Sequence, residues 1–205
     1  MDKKSHWEKV YTTKSHTEVS WFAEHIQSSL GLIGKSGADK SSAIIDVGGG
    51  ASTLADDLLE DGYHDLTVID ISGAALKIAK DRLKERAGKI EWIEDDILVS
   101  DFGKRRFDVW HDRAVFHFLT TDAERNAYRK KVSEHVRKGG FVVLSVFAED
   151  GPLKCSMLEI KRHSGSEIEE FFGKNYLKIY EGRTSHITPS KVEQKFVNVV
   201  LKRLE

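Results

Sequence analysis

Between Ala43 and Phe147, short apolar runs alternate with stretches whose apolar residues recur at helical spacing. That alternation narrows the possible folds more than any other feature of the chain. Ala43–Val47, Leu66–Asp70, Ile90–Ile93, Phe107–Trp110 and Phe141–Phe147 read as strands. Thr53–Asp61, Ala74–Ala87 and Ala123–Val136 read as helices between them. Gly62 stands just past the first helix, Ser72 is placed to cap the second, and Gly139-Gly140 is expected to close the third. The run Phe141–Phe147 is almost continuously apolar, the pattern of a strand buried on both faces. Strands joined by helices require crossovers, so the expectation is a parallel sheet with helices on both faces. Tyr176–Tyr180 and Lys195–Leu201 also read as strands, separated by a loop with Pro189 and no long helix. They are expected to pair antiparallel at the edge of the sheet. Pro152 marks another loop.

The 205 residues fit one domain. It divides into a leading helical lid over residues 1–40, a core over 41–147 and a substrate-side region over 148–205. A composition of 40% hydrophobic and 32% charged residues excludes a disordered chain. No apolar run approaches the ~20 residues of a membrane helix, and no apolar segment follows Lys3 and Lys4 as a secretory signal would require. The single cysteine, Cys155, excludes an internal disulfide framework and fits a cytoplasmic location. The net charge of −1 argues against a nucleic-acid binder. It is also the sum of two unlike regions. Ser41 to Leu76 has no Lys or Arg and a local charge of −7, whereas Glu124 to Lys138 carries +4. A cationic ligand suits the first region, and the second reads as the wet face of a surface helix.

The sharpest local signal is Asp46-Val-Gly48-Gly49-Gly50-Ala51-Ser52, at a strand-to-helix junction. Glycines there let backbone approach a ligand at the carboxyl ends of the strands. Dinucleotide sites use G-x-G-x-x-G at this place, but the third position here is Thr53. Asp46 stands two residues before the first glycine, where its charge repels a pyrophosphate and suits an ammonium or sulfonium. Asp70 ends the second strand, where a carboxylate can accept from both hydroxyls of a ribose. The acidic pair Asp95-Asp96 follows the third strand, within reach of an adenine amino group.

Taken in order, these features resemble the class I S-adenosylmethionine-dependent methyltransferases, over about residues 41–147. The carrying residues are Asp46-x-Gly48-x-Gly50, Asp70, Asp96-Ile97, Phe107-Asp108 and Lys138-Gly139-Gly140-Phe141. Ser52 stands where many relatives have a further glycine. Trp110–Phe118, Gly151–Cys155 and His186–Pro189 are similar to blocks of small stand-alone bacterial methyltransferases, as is the leading segment from His6-Trp7 to Trp21-Phe22. The resemblance implies a Rossmann-like α/β sandwich with a seven-stranded, mostly parallel sheet and an antiparallel last strand. It implies S-adenosylmethionine as cofactor, held by Trp21, Asp46, Gly48, Gly49, Gly50 and Ser52. Asp70, Ile71, Asp95, Asp96, Ile97 and His111 complete the cofactor site. No metal is expected.

Methyl transfer from a sulfonium mainly requires alignment and exclusion of water, with a base needed only for a protonated acceptor. His111, His117 and His186 follow core strands and are candidates. In this architecture His111-Asp112-Arg113, read as a loop, is where the acceptor meets the methyl group. Asp112 can orient His111 or bind a cation, and Arg113 can bind an acid. Trp7, Tyr11, Trp21 and Phe22 can close over the sulfonium, or simply pin a terminal helix. Cys155 can line the acceptor pocket, or serve as a small packed side chain. Asn-Pro-Pro-Tyr, a signature of amide and adenine methylation, is absent. The expected acceptor is a small molecule, with protein lysine as the alternative. A silent S-adenosylmethionine-binding module and a nicotinamide-dependent oxidoreductase are further alternatives.

Overall fold

The computed structural model describes residues 2–205. Helices α1 (Lys3–Thr13) and α2 (Gln27–Lys35) precede strand β1 (Ile44–Val47). The alternating part continues with α3 (Leu54–Glu60), β2 (Leu66–Asp70), α4 (Gly73–Leu83), β3 (Ile90–Glu94), β4 (Phe107–Arg113), α5 (Asp122–His135) and β5 (Val136–Phe147). A short hairpin of β6 (Lys154–Cys155) and β7 (Leu158–Glu159) follows, then α6 (Gly165–Phe172), β8 (Tyr176–Ile187) and β9 (Glu193–Arg203).

Seven strands form one sheet in the order β3-β2-β1-β4-β5-β9-β8. The first five are parallel, and β9 alone runs against its neighbours β5 and β8. The winding reverses between β1 and β4, the place in such sheets where ligands sit. Side chains alternate across the sheet as its period of two demands. Ile45, Trp110, Val142 and Leu144 pack in the layer with α5 and α6, whereas Ile44, Val109, Val143 and Val200 pack with α2, α3 and α4.

The strands and main helices fall close to where the sequence puts them, and Ser72 caps α4 by accepting from the Ala75 N–H at 3.1 Å. Four features differ. The helix expected to run to Val136 ends at His135, and Val136 already opens β5. Gly139 and Gly140 therefore lie inside a strand, beside a register shift between Phe107 and Val109 of β4. A Cβ on Gly140 would stand 2.9 Å from the Asp108 carbonyl oxygen, so that close approach needs glycine. β8 and β9 reach well beyond the short runs expected, because the polar residues of β8 face solvent at a sheet edge. Helix α6 was not anticipated, α2 lies within the segment expected as a helical lid, and β4 extends to Arg113.

Helix α1 crosses the carboxyl ends of the strands and packs on α4. Lys3 pairs with Glu124 at 2.5 Å, Lys4 pairs with Glu94 at 2.7 Å, and Glu8 accepts from the Ala74 N–H at 3.4 Å. The basic residues of α5 are largely committed to the fold. Arg125 donates to the Leu119 and Thr120 carbonyls, and Arg129 donates to the Phe171 carbonyl.

Candidate active site

The carboxyl ends of β1 to β4 form the floor of a cleft whose roof is α1 and the segment after it. Its empty space, open solvent at the mouth included, is about 1180 Å³. Of the seven acids between Ser41 and Leu76, only Asp46 and Asp70 line it. Asp56 is bound by Arg82, Asp65 by Arg105, and Asp57 by His25.

The floor is the loop after β1. Gly48 has φ +67, and a Cβ there would collide with Val115 Cγ2 at 2.1 Å. A Cβ on Gly49 would come within 2.5 Å of Asp46 Oδ2 and 2.8 Å of Val68 Cγ1. The glycines thus leave a bare backbone cradle beside two carboxylates. Asp70 ends β2 next to Gly50, and burial, followed by the charges of Asp46 and Glu8, raises its carboxyl to about 7. Its Oδ1 accepts from the Ser72 N–H at 2.8 Å, which opposes that rise. Ile71, Asp95, Asp96 and Ile97 line the far end, where Asp96 accepts from the Leu98 N–H at 2.9 Å.

Asp46 and His111 form a buried pair. His111 Nδ1 lies 2.7 Å from Asp46 Oδ1, and Nε2 lies 2.9 Å from Ser29 Oγ on α2. Both ring nitrogens are engaged, and the side chain is 1% exposed. Sequence reasoning missed Ser29 because nothing in a short helix marks one serine as a histidine's partner.

The segment His111-Asp112-Arg113, expected as a loop, is the end of β4. Its residues pair with Val143, Leu144 and Ser145 of β5. Consecutive strand residues face opposite ways, so Asp112 cannot orient His111. Asp112 instead accepts from Tyr128 Oη at 2.6 Å and from the Val115 and Phe116 N–H groups. Trp110 Nε1 donates to Tyr128 Oη at 2.9 Å, completing a buried network under α5. Burial lifts Asp112 to about 6 against those hydrogen bonds.

His117 is also off the cleft. It is fully buried, stacked on Phe147 with ring centroids 4.5 Å apart, and neither ring nitrogen has a hydrogen-bond partner. Burial pulls its pKa down to about 3. His186 Nε2 lies 2.8 Å from the Ser20 carbonyl oxygen and ties β8 to the leading segment. These contacts reassign Asp112, His117 and His186 from chemistry to structure.

The roof is aromatic. Trp7 packs edge-on against Trp21 and Phe118 at 5.4 and 5.3 Å, and Trp21 Nε1 donates to Tyr11 Oη at 3.0 Å. Trp7, Tyr11 and Trp21 line the cleft, whereas Phe22 packs near His16 instead. His6 meets Ser156 at 3.1 Å, joining α1 to the β6–β7 hairpin. The remaining end is walled by Ala114, Phe118, Phe147, Cys155, Gln194 and Phe196, with Arg113 among them. Burial pushes the Cys155 thiol up to about 12, so it is a packed wall and not a nucleophile. Gln194 and Phe196 come from β9, distant in sequence and outside any motif, so only the fold reveals them.

Among the described residues, no group of three or more His, Cys, Asp or Glu side chains is arranged to hold a metal, and no helix is long and apolar enough to cross a membrane.

A family model described as a methyltransferase domain matches residues 44–140. A bovine eEF1A lysine and N-terminal methyltransferase is 25% identical over 125 residues, which is 61% of this chain. The match takes in 18% of that relative, so the chain spans about a fifth of the length of the curated relatives it matches. A structure from work on conversion of a disulfide bond into a thioacetal group during echinomycin biosynthesis superposes with a TM-score of 0.80. It is 16% identical, covering 99% of this chain and 93% of the other. The 1,6-didemethyltoxoflavin-N1-methyltransferase of Burkholderia thailandensis superposes with a TM-score of 0.71 and 18% identity, covering 98% and 84%. The cradle fits S-adenosylmethionine: a side-chain-free floor, carboxylates for a cationic ligand, and a ribose acceptor at the end of β2. Strand order, glycine loop and domain match agree: residues 44–140 are similar to a methyltransferase domain, and the fold is that of the methyltransferase structures it superposes on.

Proposed function

We propose that the protein methylates a small organic acceptor whose reacting atom already carries a free lone pair at neutral pH. The observation that carries this reading is the enclosed aromatic end of the cleft, which contains no histidine with a free nitrogen. When bound, S-adenosylmethionine supplies a methyl group on a cationic sulfur that becomes neutral on transfer.

In this reading Asp70 accepts from the ribose hydroxyls, and Asp96 accepts from the adenine amino group, with Asp95 beside it. Ile71 and Ile97 cover the faces of the adenine. Gly48, Gly49, Gly50 and Ser52 let the methionine tail lie against backbone. Asp46, held in place by His111, sets its carboxylate beneath it, while Trp21, on the lid of residues 1–40, excludes water. Orientation in such a closed site can supply ~7–11 kcal/mol without proton transfer.

Methylation of a protein amine is a second reading, supported by the lysine methyltransferase among the relatives. It needs a cationic ammonium to enter beside Arg113, and that like charge disfavours its binding. The test is release of S-adenosylhomocysteine from S-adenosylmethionine in the presence of small-molecule and protein-extract pools, with the methylated product identified by mass spectrometry. A methylated small molecule is expected. Product confined to protein lysine would overturn the proposal.

A further inference from the structure

Among the described residues, one cationic side chain in the cleft has no partner of opposite charge. Arg113 ends β4, donates once, to the Trp21 carbonyl at 3.3 Å, and lies 5.6 Å from the centroid of the Phe196 ring. Among the described residues no carboxylate lies within ion-pairing distance of it. Asp46, the acid whose charge it feels most, is bonded to His111 instead. Burial lowers the Arg113 pKa, the direction expected for a cation withdrawn from water without compensation. Arg82 shows the contrast: it is closed by Asp56 and by the Ala51 and Ser52 carbonyls.

Gln194 stands at the same end. It is 7% exposed and lines the cleft, and its amide makes no hydrogen bond within the described residues. The surrounding wall is Phe118, Phe147 and Phe196, flat and apolar. Their free donors open onto the cleft and lack protein partners there, and a ligand that uses both can take those positions. A guanidinium fork matches a carboxylate with two parallel hydrogen bonds. A phosphate dianion would call for more positive charge than one arginine supplies.

We infer that the methyl acceptor is a planar, aromatic or heteroaromatic small molecule carrying a carboxylate, which Arg113 grips bidentately while Gln194 donates to the same group. The inference deepens the small-molecule reading above and rests on it. It also explains the exclusion of lysine, whose ammonium would face an unpaired guanidinium.

Calorimetry on the full chain tests this in two steps. S-adenosylhomocysteine and 5′-methylthioadenosine, which lacks the amino-acid tail, are first titrated into wild type, Arg113→Ala and Arg113→Lys. 2-Naphthoate, quinoline-2-carboxylate and indole-2-carboxylate are then titrated into the S-adenosylhomocysteine complexes, each against its neutral carboxamide. The expected result is S-adenosylhomocysteine affinity within threefold across the three proteins. At least one carboxylate should bind wild type tenfold or more tightly than its amide, with the preference lost in Arg113→Ala and weakened in Arg113→Lys. Gln194→Leu should weaken the carboxylate alone and serves where Arg113→Ala does not fold. The inference is overturned if no carboxylate is preferred, or if the preference survives in Arg113→Ala. It is equally overturned if Arg113→Ala loses S-adenosylhomocysteine but keeps 5′-methylthioadenosine, because Arg113 would then hold the cofactor's own carboxylate. Failure of wild type to bind either nucleoside would instead strike the methyltransferase reading itself.

Discussion

Asp70 makes cofactor affinity depend on pH in a defined direction. In the free protein its carboxyl titrates near 7, raised by burial and by the neighbouring acids. Ribose hydroxyls donate hydrogen bonds to the ionised form, so binding and protonation compete for the same oxygens. With a pKa of about 7, roughly a tenth of the protein is ionised at pH 6 and about nine tenths at pH 8. Affinity for S-adenosylhomocysteine should therefore fall about tenfold from pH 8 to pH 6, or ~1.4 kcal/mol. Near pH 7 binding should release about half a proton per site, measurable by calorimetry in phosphate and Tris, whose ionisation enthalpies differ. The same carboxyl acts oppositely on folding. Its pKa is higher folded than unfolded, so its contribution is fully present below the unfolded value of 3.8 and is lost as pH rises through 7. Cofactor should accordingly stabilise the protein more at pH 8 than at pH 6. Asp70→Asn should bind more weakly and show no pH dependence. A dissociation constant that is flat from pH 6 to pH 8 in wild type would refute the reasoning.

Gly49→Ala puts a Cβ 2.5 Å from Asp46 Oδ2 and should cost at least tenfold in S-adenosylhomocysteine affinity. Gly31→Ala, with nothing within 4 Å, is the control and should bind as wild type; equal binding by both variants would count against the cradle. His111→Ala strands the Asp46 carboxylate and should cost about 3 kcal/mol of stability by urea denaturation; slowed turnover with unchanged stability would return His111 to a catalytic role. Tyr128→Phe removes the donor to Asp112 and the acceptor for Trp110, and should cost ~2–4 kcal/mol by the same measurement. His117 titrates near 3 when folded and near 6.5 when unfolded, so it destabilises the fold increasingly as pH falls from 6.5 toward 3, by up to ~1.4 kcal/mol per unit. His117→Phe should gain melting temperature over wild type more at pH 5 than at pH 8, and parallel pH dependences in the two proteins would contradict this.

The parallel half of the fold was legible because each strand is a compact apolar run bounded by helix signals, as in Leu66–Asp70 followed by Ser72. The glycine loop and Asp70 were legible for the same reason: backbone geometry and strand ends leave local marks. The acceptor end was not. Gln194 and Phe196 reach it through a long antiparallel strand inserted between β5 and β8, and no local pattern announces such an insertion. The misreading of His111-Asp112-Arg113 has a different origin. Three consecutive polar residues look like a loop, yet the first two are satisfied within the strand, His111 by Asp46 and Ser29 and Asp112 by Tyr128, and only Arg113 is left open to the cleft.

The extension of β4 to Arg113 also sets the sign of the charge offered to the acceptor. Odd-numbered positions 111 and 113 open onto the cleft, and the even position 112 opens onto the layer with α5. A slip of one residue would exchange the guanidinium for the Asp112 carboxylate and turn a seat for anions into one for cations. Pairing of His111 and Asp112 with Asp46 and Val47 fixes that parity downstream of the register shift at Phe107/Val109. A single-residue insertion between Val109 and His111 would thus put a carboxylate at the acceptor end, and it would also draw His111 away from Asp46. Strand parity here is a one-bit specificity code, and one inserted residue rewrites it.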